Sequence, residues 1–209
     1  MNLDIDLNMD FKIDLDISFD LKDNHEETKA EKFIREQTGR VKEFEKIGLP
    51  ERGSQIMMVS DESFNSLTFL LYIMKDVEYI DELVLSFYSF SMKALKFVED
   101  LVDQGIVKKF IFQTSYLRKY GTSVMLPQKI SSMIEKFGKD RVSGSFINSH
   151  AKIMLCNIGD KYYVVEGSGN LPLKVKMEQY LVEDNKESYD FHKNWITTSY
   201  RREEIKWQK

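Results

Sequence analysis

The sequence predicts an α/β domain: a mixed β-sheet flanked by helices. Two observations carry this. From Gly53 onward, short apolar runs alternate with stretches whose apolar residues recur at helical spacing, the pattern of successive β-α units. Later the runs become short extended pieces joined by Asn157-Ile158-Gly159-Asp160, a hairpin connection.

The elements follow in order. Gln55–Ser60 reads as a short strand, and Glu62–Asp76, with Phe64, Leu67, Leu70, Leu71 and Met74, as a buried helix. Leu83–Tyr88 is a strand. Ser91 can cap a helix whose Leu95, Val98, Leu101 and Val102 share one face and which Gly105 closes. Val107–Gln113 is a third strand. Pro127 suits a first helical position, with Ile130, Met133, Ile134 and Phe137 following and Gly138 ending the helix. Arg141–Ile147, Ala151–Asn157, Lys161–Glu166 and Glu178–Glu183 are extended, and a last helix runs from Lys186 to Ser199. Three β-α units, then hairpin strands, then a helix, imply a sheet covered on both faces.

Two segments precede this domain, which spans residues 53–209. Residues 1–25 form an arm in which Leu3, Ile5, Leu7, Met9, Phe11, Ile13, Leu15, Ile17, Phe19 and Leu21 alternate mainly with Asp, a period-two strand signal that places every apolar side chain on one face. Such a strand needs a partner surface. Residues 26–52 read as a connecting helix stopped by Gly48-Leu49-Pro50.

At 209 residues, 42% hydrophobic and 31% charged, the chain can build one α/β core plus an appendage and is short for two domains. The composition excludes collagen-like and wholly disordered classes. Cys156 is the only cysteine, which excludes an intramolecular disulfide and a Cys-rich metal site and fits a reducing compartment. The acidic amino terminus is unlike a secretory signal, and no apolar run approaches the roughly 20 residues that span a bilayer. A cytoplasmic protein with no membrane partner is therefore expected. Residues 1–31 hold three Lys against ten Asp or Glu, so the rest of this −4 chain carries +3. A mildly basic domain is compatible with a polyanionic substrate.

The chemistry concentrates in two short motifs. His150-Ala151-Lys152 stands at the mouth of a strand, so its two polar side chains project from one face. Gly167-Ser168-Gly169-Asn170 follows the hairpin partner strand, and the hairpin would bring the two pairs together. An imidazole, an ammonium, a hydroxyl and a carboxamide converging beside glycines suit the binding and attack of a phosphate diester. His25, in an acidic stretch, and His192, beside Phe191 and Trp195, read as solvated and packed respectively. Lys108-Lys109 and Arg118-Lys119 flank the third strand and could line a phosphate groove.

His150-x-Lys152 followed by Gly167-Ser168-x-Asn170 resembles the signature of the phospholipase D superfamily, most of all its short members with one motif copy, and the likeness extends over residues 53–200. Glu178 is similar in placement to the Glu that orients a catalytic His in that family. The family's Asp five residues after the Lys is Asn157 here, and Asp160 is offset into the turn. The resemblance implies a phospholipase-D-like fold and a metal-independent phosphodiesterase without cofactors. In it His150 attacks phosphorus to form a phosphohistidine, Lys152 and Asn170 hold non-bridging oxygens, Ser168 adds a hydrogen bond and Glu178 fixes the imidazole. A second His must act as acid, which implies a homodimer. DNA or RNA is the substrate class implied; a lipid or other small phosphodiester is the enzymatic alternative. A reading from another class is a non-catalytic nucleic-acid or protein-binding module, docked by its arm. Residues 1–22 could also join a larger assembly.

Overall fold

A computed structural model describes residues 46–60, 66–75, 77–115, 125–171 and 177–198. The expected arm and all but the end of the expected connecting helix lie outside them. In chain order the elements are β1 (Gln55–Ser60), α1 (Ser66–Met74), β2 (Glu82–Phe87), α2 (Met92–Asp103), β3 (Phe110–Thr114), α3 (Met125–Phe137), β4 (Val142–Phe146), β5 (Lys152–Ile158), β6 (Lys161–Gly167), β7 (Glu178–Asp184) and α4 (Lys186–Thr198). The strands form one mixed sheet in the order β1-β7-β6-β5-β2-β3-β4.

Parallel pairing is confined to β2, β3 and β4; every other neighbour is antiparallel. Although β1 opens the first β-α unit, it lies at the far edge from β4 and pairs antiparallel with β7. Its composition explains the difference. All six residues of β2 are buried, as a central strand covered on both faces requires, whereas β1 alternates between exposed and covered positions.

The first sheet face packs beneath α1, α2 and α3, where Leu67, Phe69 and Leu70 meet Leu83, Leu85, Phe112, Met154, Val165 and Val182. The second face carries Val84, Ile111, Ile153, Leu155 and Val164 beneath Tyr189 and Ile196 of α4. A buried carboxylate fastens that helix: Glu82 accepts a hydrogen bond from Tyr189 Oη at 2.7 Å and ion-pairs with Lys193 at 2.5 Å and Lys109 at 3.2 Å. Burial by itself would raise the Glu82 carboxyl, but the bonds from Lys193, Tyr189 and Lys109 outweigh it and hold the group below the usual glutamate range.

Helix ends follow local chemistry. Ser91 Oγ accepts from Ala94 N at 3.1 Å as the cap of α2, and the chain leaves that helix through Gly105 at φ +76°, a left-handed turn suited to glycine. The helix expected to start at Pro127 begins at Met125, leaving Pro127 in the first turn, where a missing N–H forfeits no intrahelical bond.

Candidate active site

The two motifs meet at the end of the sheet where the parallel strands finish. Lys152, first residue of β5, stands opposite Phe87, last residue of β2, and on its other side β5 pairs with β6, whose final residue is Gly167. Ligands of open α/β sheets gather outside the carboxyl ends of parallel strands, and this is such a place.

His150 reaches the site on the loop between β4 and β5. Ser115, 6% exposed just past the end of β3, clamps that loop: its Oγ donates to Ser149 O at 2.6 Å and accepts from Ser149 N at 3.2 Å. The His150 ring is exposed and leans on Tyr88, with centroids 4.8 Å apart and planes inclined at 44°. Lys152 is 8% exposed. Its Nζ lies 3.0 Å from His150 Nδ1 and donates to His150 O at 2.8 Å. Burial pushes the ammonium below the ordinary lysine value, and the charge of Glu178 counters this in part, so the two motif strands are electrostatically coupled.

The second motif is shaped by Tyr180. Ser168 N donates to Gln179 O at 3.0 Å, which continues the β6–β7 ladder past Gly167. A methyl group at position 167 would come within 2.5 Å of the Tyr180 ring and 2.9 Å of Gln179 O, and one at 169 within 2.4 Å of the Tyr180 hydroxyl. Both glycines are required by that close approach. Ser168 Oγ donates to Glu178 Oε2 and accepts from Gln179 N at 3.1 Å. The Oδ1 of Asn170 is buried and unpaired, a costly state for an amide oxygen unless a ligand or a turned amide supplies a partner.

The structure thus brings His150 to Lys152 and Ser168 to Glu178, with Lys152 in the field of Glu178. Glu178 bonds Ser168, and no hydrogen bond joins it to His150 among the described residues. Asn157 lies at the far end of β5, where its Nδ2 donates to Gly159 O at 3.2 Å and Lys161 O at 3.1 Å. It stitches the hairpin turn, a task a carboxylate without an N–H could not perform.

Other residues stand elsewhere than their sequence neighbours suggested. Lys108 and Lys109 precede β3, at the opposite end of the sheet, where Lys108 pairs with Asp81 at 3.0 Å and lies over the Tyr79 ring, and Lys109 pairs with Glu82. They do not line this site. Arg118 and Lys119 fall outside the described residues. His192 is held on the second sheet face by Glu166 Oε1 at 2.7 Å and by Trp195 Nε1, which donates to His192 Nδ1 at 3.1 Å. Tyr88 and Ser115 were not singled out by the sequence. The available signal was position: each directly follows a buried strand at the carboxyl end of the parallel strands.

Among the described residues no helix is long and apolar enough to cross a membrane, and no group of three or more His, Cys, Asp or Glu could hold a metal ion. The Cys156 thiol is buried, which raises its pKa and leaves it unreactive.

No protein-family model and no curated protein sequence matches the chain. Solved structures do. Polyphosphate kinase from Porphyromonas gingivalis superposes with a TM-score of 0.50 at 14% identity, over 71% of this chain and 24% of that one. Phosphatidylserine synthase from Haemophilus influenzae aligns over 71% of this chain and 38% of its own, with TM-score 0.44 and 12% identity. Yeast tyrosyl-DNA phosphodiesterase aligns over 62% and 32%, with TM-score 0.39 and 12% identity. The chain thus spans about a quarter of the kinase's length. The likeness to the kinase bears on the fold alone: the mixed sheet, with four helices among the described residues, is a phospholipase-D-like α/β fold.

Proposed function

We propose that this chain is a metal-independent phosphodiesterase, a nuclease acting on DNA or RNA through a phosphohistidine, and that it works as a homodimer. The observation that carries the reading is the buried Lys152 ammonium set 3.0 Å from His150 Nδ1 beside the Gly-Ser-Gly-Asn turn.

In the resting chain an ammonium donating to Nδ1 keeps a neutral His150 protonated on Nε2, the outer ring nitrogen. Attack through Nε2 needs the other tautomer. A phosphate diester in the site draws Lys152 onto a non-bridging oxygen and frees Nδ1, so the ring's single proton can pass through water from Nε2 to Nδ1, where it is donated to a carboxylate and leaves the Nε2 lone pair free. Glu178 is the carboxylate whose charge Lys152 already feels. As Glu178 turns to the imidazole, Ser168 is released to the second oxygen and Asn170 donates beside it. His150 Nε2 then attacks phosphorus as the P–O bond to the leaving oxygen breaks, and positive charge from Lys152 stabilises the pentacoordinate state.

The leaving oxygen needs a proton, and one chain holds one such motif. A second copy of the chain, related by a two-fold axis, supplies the second His150 as acid. Water attack on the phosphohistidine then reverses the roles. The Ser168–Glu178 bond is the one observation that favours the other class, a module that binds phosphate without turnover.

One experiment separates them. Purified protein is incubated with labelled single- and double-stranded DNA and RNA in EDTA, alongside His150→Ala. Cleavage that survives EDTA and is lost in the variant supports the enzyme. Binding without cleavage supports the module, and cleavage unchanged in the variant removes His150 from the chemistry.

A further inference from the structure

Among the described residues β1 is an edge strand of the sheet. No strand among the described residues pairs with the outer edge of β1, and Met57 and Val59 stand 76% and 65% exposed on the second sheet face. The bare surface reaches inward: Met57 registers with half-covered Leu181, which registers with Glu166, and only there does α4 begin to cover the face, through His192. An open edge with apolar side chains invites strand addition. The opposite edge differs in chemistry, because the corresponding positions of β4 are Ser143 and Ser145.

The chain carries a segment of matching pattern. Ten apolar residues occupy every second position from Leu3 to Leu21, with Asp at most positions between them. Thirty-three residues separate Leu21 from Gln55, enough to span about 110 Å if extended, so the segment reaches β1 in its own chain without strain. Six residues of it match the length of β1, and one register parity lays the apolar row beside Met57 and Val59 while turning the Asp row to the other side.

We infer that residues 3–21 add to the open edge of β1 in the same chain as an extra strand whose apolar side chains cover Met57 and Val59. Of the two sheet edges among the described residues, the docking covers the apolar one, and it stands whether or not the catalytic reading holds.

Residue-resolved amide exchange tests this on the full chain, on a version lacking residues 1–22, and on the full chain with Ile13→Ser, Leu15→Ser and Ile17→Ser. The triple variant keeps every charge and changes none of the described residues, and unaltered exchange at β4 reports that the domain remains folded. Alternate amides of β1 should be protected in the full chain and exchange at least about tenfold faster in both altered forms, with β4 unchanged. Equal β1 exchange in all three proteins, or a change at β4 instead, overturns the inference. Protection that fades on dilution overturns docking within one chain and assigns the edge to a second copy's arm.

Discussion

Burying an ammonium costs stability that a methionine of similar length would not, so Lys152 is held in place at the expense of the fold. Because burial depresses its pKa, the unfolded chain binds more protons over the alkaline range, and stability rises with pH there. Lys152→Met should therefore raise the melting temperature at neutral pH by roughly 2–4 °C, about 1 kcal/mol, while losing on the order of 10²-fold in kcat. The stability gain should shrink as pH climbs through the folded-state pKa toward that of an ordinary lysine. Melting curves from pH 7 to 10 check this; a variant less stable at pH 7 contradicts it. Asn170→Ala should likewise lose on the order of 10²-fold in kcat, whereas a loss confined to KM marks Asn170 as a ground-state binder. Ser115 touches no substrate in this scheme and positions the His150 loop through Ser149. Ser115→Ala should lower kcat on the order of tenfold with KM unchanged, since misplaced attack geometry is felt in the chemical step. At Gly169 an added methyl meets the Tyr180 hydroxyl, so Gly169→Ala should destabilise by about 1–3 kcal/mol, and Tyr180→Phe in the same chain should restore part of the loss.

At the scale of elements, α4 depends on one carboxylate. Glu82 joins Tyr189 and Lys193 of the helix to β2, and removing its charge leaves a buried phenol and two lysines without their acceptor. Glu82→Ala should cost about 2–4 kcal/mol by chemical denaturation and release the amide protection of α4 before that of β2. Since the folded-state pKa of Glu82 is depressed, its contribution is complete above the ordinary glutamate value and is lost as pH falls through the lower one. Acid should loosen α4 in the natural chain and change little further in the variant. The position of β1 shows what element-level patterning can and cannot say. Its alternation marks a strand with one covered face, but pairing with β7, more than 110 residues later, is a long-range choice to which local pattern is blind.

Assembly belongs to the whole molecule. If two copies share one site, mixing His150→Ala chains with natural chains should depress activity more than simple dilution, because each mixed dimer lacks either nucleophile or acid. Light scattering at assay concentration should show a dimer, and an active monomer contradicts the scheme. With residues 32–209 at +3, binding of a nucleic-acid substrate should weaken with salt, though from a modest starting field.

The sequence by itself determined the strands and helices of the described domain within a few residues at each end, because hydrophobic period and capping chemistry are local: Ser91 and Gly105 bound their helix as read. It also made legible that His150 and Lys152 would stand two residues apart at the mouth of a strand and that a hairpin would carry the Gly-Ser-Gly-Asn turn beside them, although His150 proves to lie in the loop just before β5. Only the tertiary structure decided that β1 crosses to the far edge, that Tyr88 and Ser115 flank His150, that Glu178 meets Ser168, and that Lys108 and Lys109 lie at the opposite end of the sheet. Each of these depends on which strands become neighbours, and that is settled by burial of whole faces summed over distant segments, a quantity no local window contains.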